Sequence, residues 1–381
     1  VKILFAAHSS QASAFALAPL ARAAKDSGHQ VVMAGSMQTI DAITSSGLPA
    51  YPVTERPLSE FILFDRDGER VPPASTDVDM VFGAGRFFGR YAATAYHSLK
   101  SLTKTFSPDV VVGGSLSFAA PLIAARLQVP YVRQTWDMYE IAPYIPGAEA
   151  ELASEMAELE LRNLPEPSTT LDVSPAMLQT RHDDSPHKPL RFVPSNTQTA
   201  IEPWMLTAPA GRKRICVTMG SRVETTDTYD TSFKKLRDLV KALSHLDAEL
   251  LVAAPRAVAD SVRHLIPHGH AGFIPLDFVA PSCDAIIHHA GGVSTLTALD
   301  AGTPQIMLPD AEIWQRTTDR IEAYGAGVSV HPGPDVVDRA VDACDRVLSD
   351  NSYRSAAQEF QAQIRAMPTP AEQVAEIEFR R

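Results

Sequence analysis

Two rhythms of apolar and polar residues alternate along the chain. Short, near-continuous apolar runs at residues 1–7, 30–34, 109–113 and 129–133 have the pattern of parallel strands covered on both faces. Between them lie longer stretches with helical spacing, at 12–27, 82–102 and 118–127. Two further short strands, at 169–173 and 190–193, close this first series. A polar stretch rich in Ala and Pro follows, and the pattern restarts with apolar runs at 214–219, 249–253, 285–288 and 305–308. The expectation is an α/β protein with two Rossmann-like βαβ domains facing a cleft. Their expected bounds are 1–195 and 212–365, with a linker at 196–211 and a C-terminal helical segment at 366–381 that folds back onto the first domain.

The most informative stretch runs from Ala285 to Pro304. It reads as a buried strand ending in His288 and His289, a turn with Gly291 and Gly292, then Val293, Ser294 and Thr295 opening an Ala/Leu helix stopped by Gly302 and Pro304. The free N–H groups of a first helical turn, with the dipole behind them and hydroxyl donors beside them, make an anion cradle sized for a phosphate or diphosphate. The plain alternative is that the histidines are core or capping residues and the glycines only a tight turn. The strand at Gln305-Ile306-Met307-Leu308 completes a βαβ unit around the loop, and in such sheets ligands bind at the carboxyl ends of strands.

Length and composition narrow the field. A chain of 381 residues is long for a single core, and 45% hydrophobic with 21% charged residues is ordinary for a soluble globular protein. No apolar run reaches the roughly 20 residues of a membrane span, and the first residues read as a strand and not a signal peptide, so the expected location is cytoplasmic, away from membranes. A net charge of −11 argues against nucleic acid as a partner while leaving room for a small anion at a local donor cluster. The three cysteines Cys216, Cys283 and Cys344 show no metal spacing and read as reduced core residues.

The first strand leads into Ala7-His8-Ser9-Ser10-Gln11-Ala12-Ser13, which has no glycine. It therefore lacks the fingerprint that lets a pyrophosphate approach the backbone of nicotinamide-binding folds. His8 either contacts a substrate or simply ends the strand. The aromatic residues Phe87, Phe88, Tyr91 and Tyr96 line a helical stripe that serves either as core or as the wall of a pocket for a flat ligand. Asp77-Val78-Asp79 superficially matches a metal-binding carboxylate pair, but reads as part of a Pro-broken loop. Residues 149–164 read as one helix whose alternating acids face solvent. The strand at 129–133 delivers Trp136 and Asp137 to the sheet's carboxyl edge, where an apolar neighbour raises a carboxyl pKa; Asp137 is either a general base or a cap.

The 285–304 block, with Gly272-Phe273-Ile274-Pro275-Leu276, Tyr324-Gly325-Ala326-Gly327, Arg133-Gln134-Thr135-Trp136-Asp137 and Glu202-Pro203-Trp204-Met205, resembles GT-B nucleotide-sugar glycosyltransferases of bacterial aromatic polyketide antibiotic biosynthesis. Within them it looks most like the urdamycin-type C-glycosyltransferases. That resemblance implies diphosphate contacts from His289, Gly291–Thr295, Ser221 and Arg222, although Arg222 reads equally as a surface residue. It implies base contacts from Phe273, Ile274 and Leu276, and an acceptor side formed by His8, Ser13 and Trp136 with Asp137 as catalytic group. Oxygen-glycosylating relatives keep a general-base histidine in the first turn, and the matching position here is Ser13. Hexose-using relatives carry an acid and a Gln where this chain has Ile313 and Trp314, which points to a deoxysugar, the alternative being an apolar wall that touches no sugar.

The expected activity is inverting transfer of an olivose-like deoxysugar from a TDP-sugar to a carbon of an aromatic polyketide, with no cofactor and no metal. An O-glycosyltransferase of the same fold and a non-catalytic partner of another glycosyltransferase are the alternatives. The sequence leaves the oligomeric state open, a homodimer included.

Overall fold

Two all-parallel sheets carry the chain, as a computed structural model describing residues 1–179, 186–208, 210–220 and 229–376 shows. The first sheet contains β1 (Lys2–Ala6), β2 (Gln30–Ser36), β3 (Ala50–Thr54), β4 (Val110–Gly114), β5 (Tyr131–Gln134), β6 (Thr169–Asp172) and β7 (His187–Pro189). The second contains β8 (Lys213–Thr218), β9 (Ala248–Ala253), β10 (Gly269–Gly272), β11 (Ala285–His288), β12 (Gln305–Met307) and β13 (Gly327–Ser329). Their orders are β3-β2-β1-β4-β5-β6-β7 and β10-β9-β8-β11-β12-β13. Each order reverses direction once, between β1 and β4 and between β8 and β11, and the turns leaving those strands are where a doubly wound sheet opens to ligands.

The apolar runs are buried because helices cover both faces of each sheet. Ile3, Leu4, Phe5, Val110, Val111 and Val112 are core residues of the first unit, and Ile215, Val217, Ile287 and Ile306 of the second. The three cysteines are free and buried.

The chain divides into one unit of Val1–Ser174, Gln179–Thr197 and Met367–Arg381 and another of Pro175–Leu178 and Gln198–Ala366. The C-terminal segment joins the first unit through Arg191 N–H to Pro368 O at 2.8 Å and Gln373 Nε2–H to Pro189 O at 2.7 Å. From Gln198 onward the stretch expected as linker belongs to the second unit. Helix Pro203–Leu206 is anchored there by Trp204, stacked on His270 at 4.0 Å between ring centroids. The buried Arg214 guanidinium bonds the carbonyls of Trp204 and Thr207 at 2.9 and 2.8 Å.

Two helical expectations change. The aromatic helix spans Asp77–Leu102 and starts earlier than expected, because Thr76 caps it: Thr76 Oγ1 accepts from Asp79 N–H at 3.1 Å and donates to Asp79 Oδ2 at 2.8 Å. Asp77-Val78-Asp79 is thus the helix's acidic first turn and not a loop. The expected helix at 149–164 is two shorter ones, Ile145–Glu151 and Ala153–Glu158. Glu151 and Glu155 face inward, Glu151 taking Arg86 and Arg90 at 2.7 and 2.9 Å and Glu155 taking Arg66 at 2.7 Å. Among the described residues no helix is long and apolar enough to cross a membrane.

Candidate functional site

In the second unit the site is built from the turn after β11. His288 is fully buried. Its Nδ1 accepts from Ala290 N–H at 3.1 Å, so the neutral ring carries its proton on Nε2, which lies 2.7 Å from Gln305 Oε1 and donates to it. Burial pushes this histidine's pKa down to about 4, which keeps the ring neutral at neutral pH. Ala290 holds a left-handed φ of 59°. This conformation is uncommon for a residue with a side chain and costs on the order of 1 kcal/mol or more.

The half-buried imidazole of His289 lies between two glycines. A Cβ on Gly220 would come within 2.6 Å of its Cε1, and a Cβ on Gly291 within 2.6 Å of its Nε2. Gly220 follows β8 with φ 65°, so the turns on both sides of the strand-order reversal meet at this ring. Gly291 is the N-cap of helix Gly292–Asp300 and provides no side-chain cap, so by helix geometry the amides of Gly292, Val293 and Ser294 have no acceptor within the helix. Val293 and Ser294 are half-buried beside it. Thr295 corrects the sequence expectation: it is fully buried and its hydroxyl donates to Gly291 O at 3.0 Å, bonding its own helix and not presenting a donor to a ligand. Ser221 and Arg222 lie outside the described residues.

Phe273, just after β10, is 54% exposed. Ile274 is buried in a cluster with Met205, Cys216, Leu251, Ile286 and Ala298, and Leu276 packs against that cluster. Of the three residues expected at the base, Phe273 offers a ring face, and Ile274 offers only backbone. Ile313 and Trp314 sit half-buried in the first turn of helix Glu312–Ala323, which follows β12 and has no side-chain cap.

In the first unit His8 lies two residues past the end of β1 with a buried ring. Phe88, Tyr91 and Trp136 surround it edge-on, at 5.0, 6.4 and 4.9 Å between ring centroids. Ser10 N–H donates to His8 Nδ1 at 3.2 Å, and burial lowers the pKa to about 3. Ser13 is buried, its hydroxyl donating to Ser10 O at 2.7 Å. Trp136 is held by its backbone N–H donating to Ser115 Oγ at 3.2 Å, and its ring covers Gly114 closely enough that a Cβ there would stand 2.9 Å from Cε3.

Asp137 follows on the loop leaving β5 and is half-buried. Its Oδ1 accepts from Tyr139 N–H at 3.0 Å. Burial raises its pKa from 3.8 to about 7; the Tyr139 amide and the Trp136 side chain oppose that rise, and the nearby Asp172 carboxylate adds to it. Asp172 is itself buried, accepting from Thr135 Oγ1 at 3.2 Å and from Ser174 N–H at 2.9 Å. A carboxyl group that titrates near neutrality at a strand's carboxyl end is suited to take a proton from a bound acceptor.

Two family models match the chain: erythromycin biosynthesis protein CIII-like, N-terminal domain, over residues 22–220, and its C-terminal domain over 237–379. The chain belongs to the erythromycin biosynthesis protein CIII-like family. It is a glycosyltransferase, built from two parallel-sheet α/β domains as in the GT-B enzymes. It is 29% identical to the L-demethylnoviosyl transferase of Streptomyces niveus, over 94% of this chain and 92% of that protein. Identity is 26% to the 3-alpha-mycarosylerythronolide B desosaminyl transferase of Saccharopolyspora erythraea, over 98% of this chain and 97% of that one. Among solved structures it is similar to the Streptomyces sp. SF2575 glycosyltransferase SsfS6 in complex with thymidine diphosphate. That match has a TM-score of 0.83 and 29% identity, covering 99% of both chains.

Three residues that shape these sites escaped the sequence reading. Gln305 opens an otherwise apolar strand, and a buried amide at such a position is the signal that was available. Gly220 shares its left-handed φ with other turn glycines such as Gly302 and is set apart by its contact with His289, which is not written in the sequence. Asp172 ends a short strand and is brought toward Asp137 by the β5–β6 pairing.

Proposed function

We propose that this family member transfers a deoxysugar, olivose-like in its lack of hydroxyls, from a TDP-sugar to a carbon of an aromatic polyketide, with inversion at the anomeric centre. Asp137 is the base of this reaction. A carboxyl group near 7 matches a phenol, with its usual pKa near 10, far better than an ordinary carboxylate near 4 does. Phenolate formation puts electron density on the ortho carbon, which displaces the nucleoside diphosphate; the new C–C bond forms as the anomeric C–O bond breaks, and the ring proton is then lost. Neither position that might have served oxygen transfer competes: Ser13 stands where the resembled oxygen-glycosylating relatives keep their base, and His8 is held neutral and bonded to Ser10. The single observation that carries the reading is the raised, half-buried carboxyl of Asp137 beside Trp136.

On the donor side His289 and the amides of Gly292, Val293 and Ser294 bind the diphosphate, donors fixed in advance toward charge that grows as the bond breaks. The solved relative with thymidine diphosphate supports TDP as the nucleotide. Phe273 stacks on its base, and the apolar Ile313 and Trp314 leave a hydroxyl-rich hexose unpaired, favouring a deoxysugar. The reading needs no metal or cofactor, and the protein acts on small molecules away from membranes.

Titration of TDP, UDP and GDP by thermal shift tests the donor side. A ligand at 100 times its dissociation constant adds about 2.7 kcal/mol, so TDP should stabilise the wild type and leave His289→Ala nearly unchanged. Equal shifts in both proteins would remove the diphosphate assignment. Products made with a TDP-deoxysugar and a polyketide phenol, heated in acid, test the linkage: survival means a C-glycoside, cleavage an O-glycoside.

A further inference from the structure

We infer that His288 and Gln305 are positioning residues for donor binding: a buried histidine–glutamine pair sets the turn that places His289 and the first-turn amides. This inference rests on the donor reading of that turn given above.

Neither side chain belongs to the face a ligand would touch, since both are fully buried. Polar groups at such depth destabilise the fold unless they are bonded, and this ring meets that requirement through both nitrogens. Nδ1 takes the Ala290 N–H at 3.1 Å, and Nε2–H reaches Gln305 Oε1 at 2.7 Å. The Gln305 bond selects the tautomer that leaves Nδ1 as an acceptor, and the Nδ1 bond in turn holds Ala290 at its left-handed φ of 59°. With residue 290 in that conformation the His289 ring lies against both Gly220 and Gly291.

The surrounding strands are shaped for this pair. Gln305 is in register with Ile286, two residues before His288 and therefore on the same face of β11. Gly327 pairs with Gln305 on the other side, and a Cβ there would meet the Gln305 backbone carbonyl first and Gln305 Cγ at 3.0 Å. A side chain at 327 would press on the strand that carries Gln305, backbone and side chain together.

The test is calorimetric titration of TDP into the wild type, His289→Ala, His288→Leu, His288→Asn and Gln305→Met, each also examined by near-UV circular dichroism and melted without nucleotide. His288→Leu should weaken TDP about tenfold, the factor of one hydrogen bond left unmade. His288→Asn should stay within about threefold of the wild type, because the Asn carbonyl can take over the Ala290 N–H. Gln305→Met keeps the volume, removes the acceptor and should fall between them. A merely structural pair would lower the melting temperature of all three without moving the affinity of the folded protein. If His288→Leu does not fold, Gln305→Met and the Asn rescue decide the matter.

Wild-type TDP affinity in folded His288→Leu or Gln305→Met would overturn the inference while leaving the donor reading intact, provided His289→Ala still loses TDP. An Asn variant as weak as a folded Leu variant would overturn it also. A wild type that binds no TDP would overturn the donor reading itself and this inference with it.

Discussion

The turn after β1 and the turn after β11 each leave a strand at a reversal of strand order, on opposite sides of it in two sheets of like topology, and each carries a histidine within two residues of the strand's end. They differ in how the following helix starts. After β1, Ser10 caps helix Gln11–Asp26: its Oγ accepts from Ser13 N–H at 3.2 Å, and Ser13 Oγ returns a bond to Ser10 O at 2.7 Å. The Ser10 and Ser13 amides and the Ser13 hydroxyl are bonded within the turn, and its histidine is packed among aromatic rings. After β11 the N-cap is Gly291, with no side chain to offer, and by helix geometry the first-turn amides beside His289 have no acceptor within the helix. The N-cap is thus one difference between a turn closed on itself and one open to an anion, and the glycines that flank His289 are another. In the proposed reaction, proton transfer falls to the unit with the closed turn, through Asp137, and diphosphate binding to the unit with the open one.

That division is tested most severely at Asp137. Asp137→Asn should lower kcat/KM about 10³-fold, the scale of a lost general base, with TDP affinity unchanged because the open turn is untouched. In the wild type the acid limb of kcat/KM against pH should have its midpoint near 7, where this carboxyl ionises. The same shift has a stability consequence of definite sign. A carboxyl raised from 3.8 to about 7 binds more protons in the native state than in the unfolded chain. Its cost is therefore absent below about pH 4, grows as pH rises through 4–7, and is full above 7. Asp137→Asn should then gain on the order of 2 kcal/mol over the wild type at pH 8 relative to pH 4, a figure reduced for the partial exposure of the group. Urea titrations at the two pH values measure it; a difference independent of pH would mean that the carboxyl is not raised.

Next in size is an attempt to close the open turn. Gly291→Ser supplies the cap that Ser10 supplies in the other unit, and a serine cap is only a few tenths of a kcal/mol better than glycine for the helix. Its Cβ, however, would stand 2.6 Å from His289 Nε2, so the ring must leave its place. The expected result is an unchanged melting temperature with TDP binding and kcat/KM lower by about 10², comparable to removing one donor from a preorganised anion site. Retained TDP affinity would show that the missing cap is not what opens the turn.

Much of the fold was legible because parallel strands covered on both faces must be apolar throughout, as Val110-Val111-Val112 and Ile215-Cys216-Val217 are. What stayed hidden depends on partners distant in sequence. Glu151 and Glu155 look solvated by composition, yet arginines on a helix and a loop some sixty to ninety residues earlier draw them inward. Thr295 sits next to Ser294 in a donor-rich string, and only the helix's rotation turns its hydroxyl back to Gly291 O. Within the stretch at 196–211, which has a linker's composition, helix Pro203–Leu206 is held in the second unit by Trp204 stacking on His270. The candidate site divides in the same way. His289 and its glycines follow a local pattern, whereas Gln305 and Asp172 reach their places through strand pairing.

The smallest effect comes from opening the closed turn. Ser10→Ala removes the side-chain acceptor for Ser13 N–H and leaves the rest of the turn in place, since Ser10 N–H still donates to His8 Nδ1 and Ser10 O still receives Ser13 Oγ. The loss of one N-cap should cost about 1 kcal/mol in urea unfolding of the first unit. Such a cost without any gain in phosphate affinity is the informative outcome. An uncapped helix start carries the same dipole and free amides as the one after β11, but here no glycine lets a ligand approach and the aromatic packing around His8 remains. Inorganic phosphate or TDP that bound the Ser10→Ala protein at a second site would mean that capping alone distinguishes the two turns. Unchanged stoziometry of one TDP per chain would mean that the glycines at 220 and 291, with the ring between them, are needed as well.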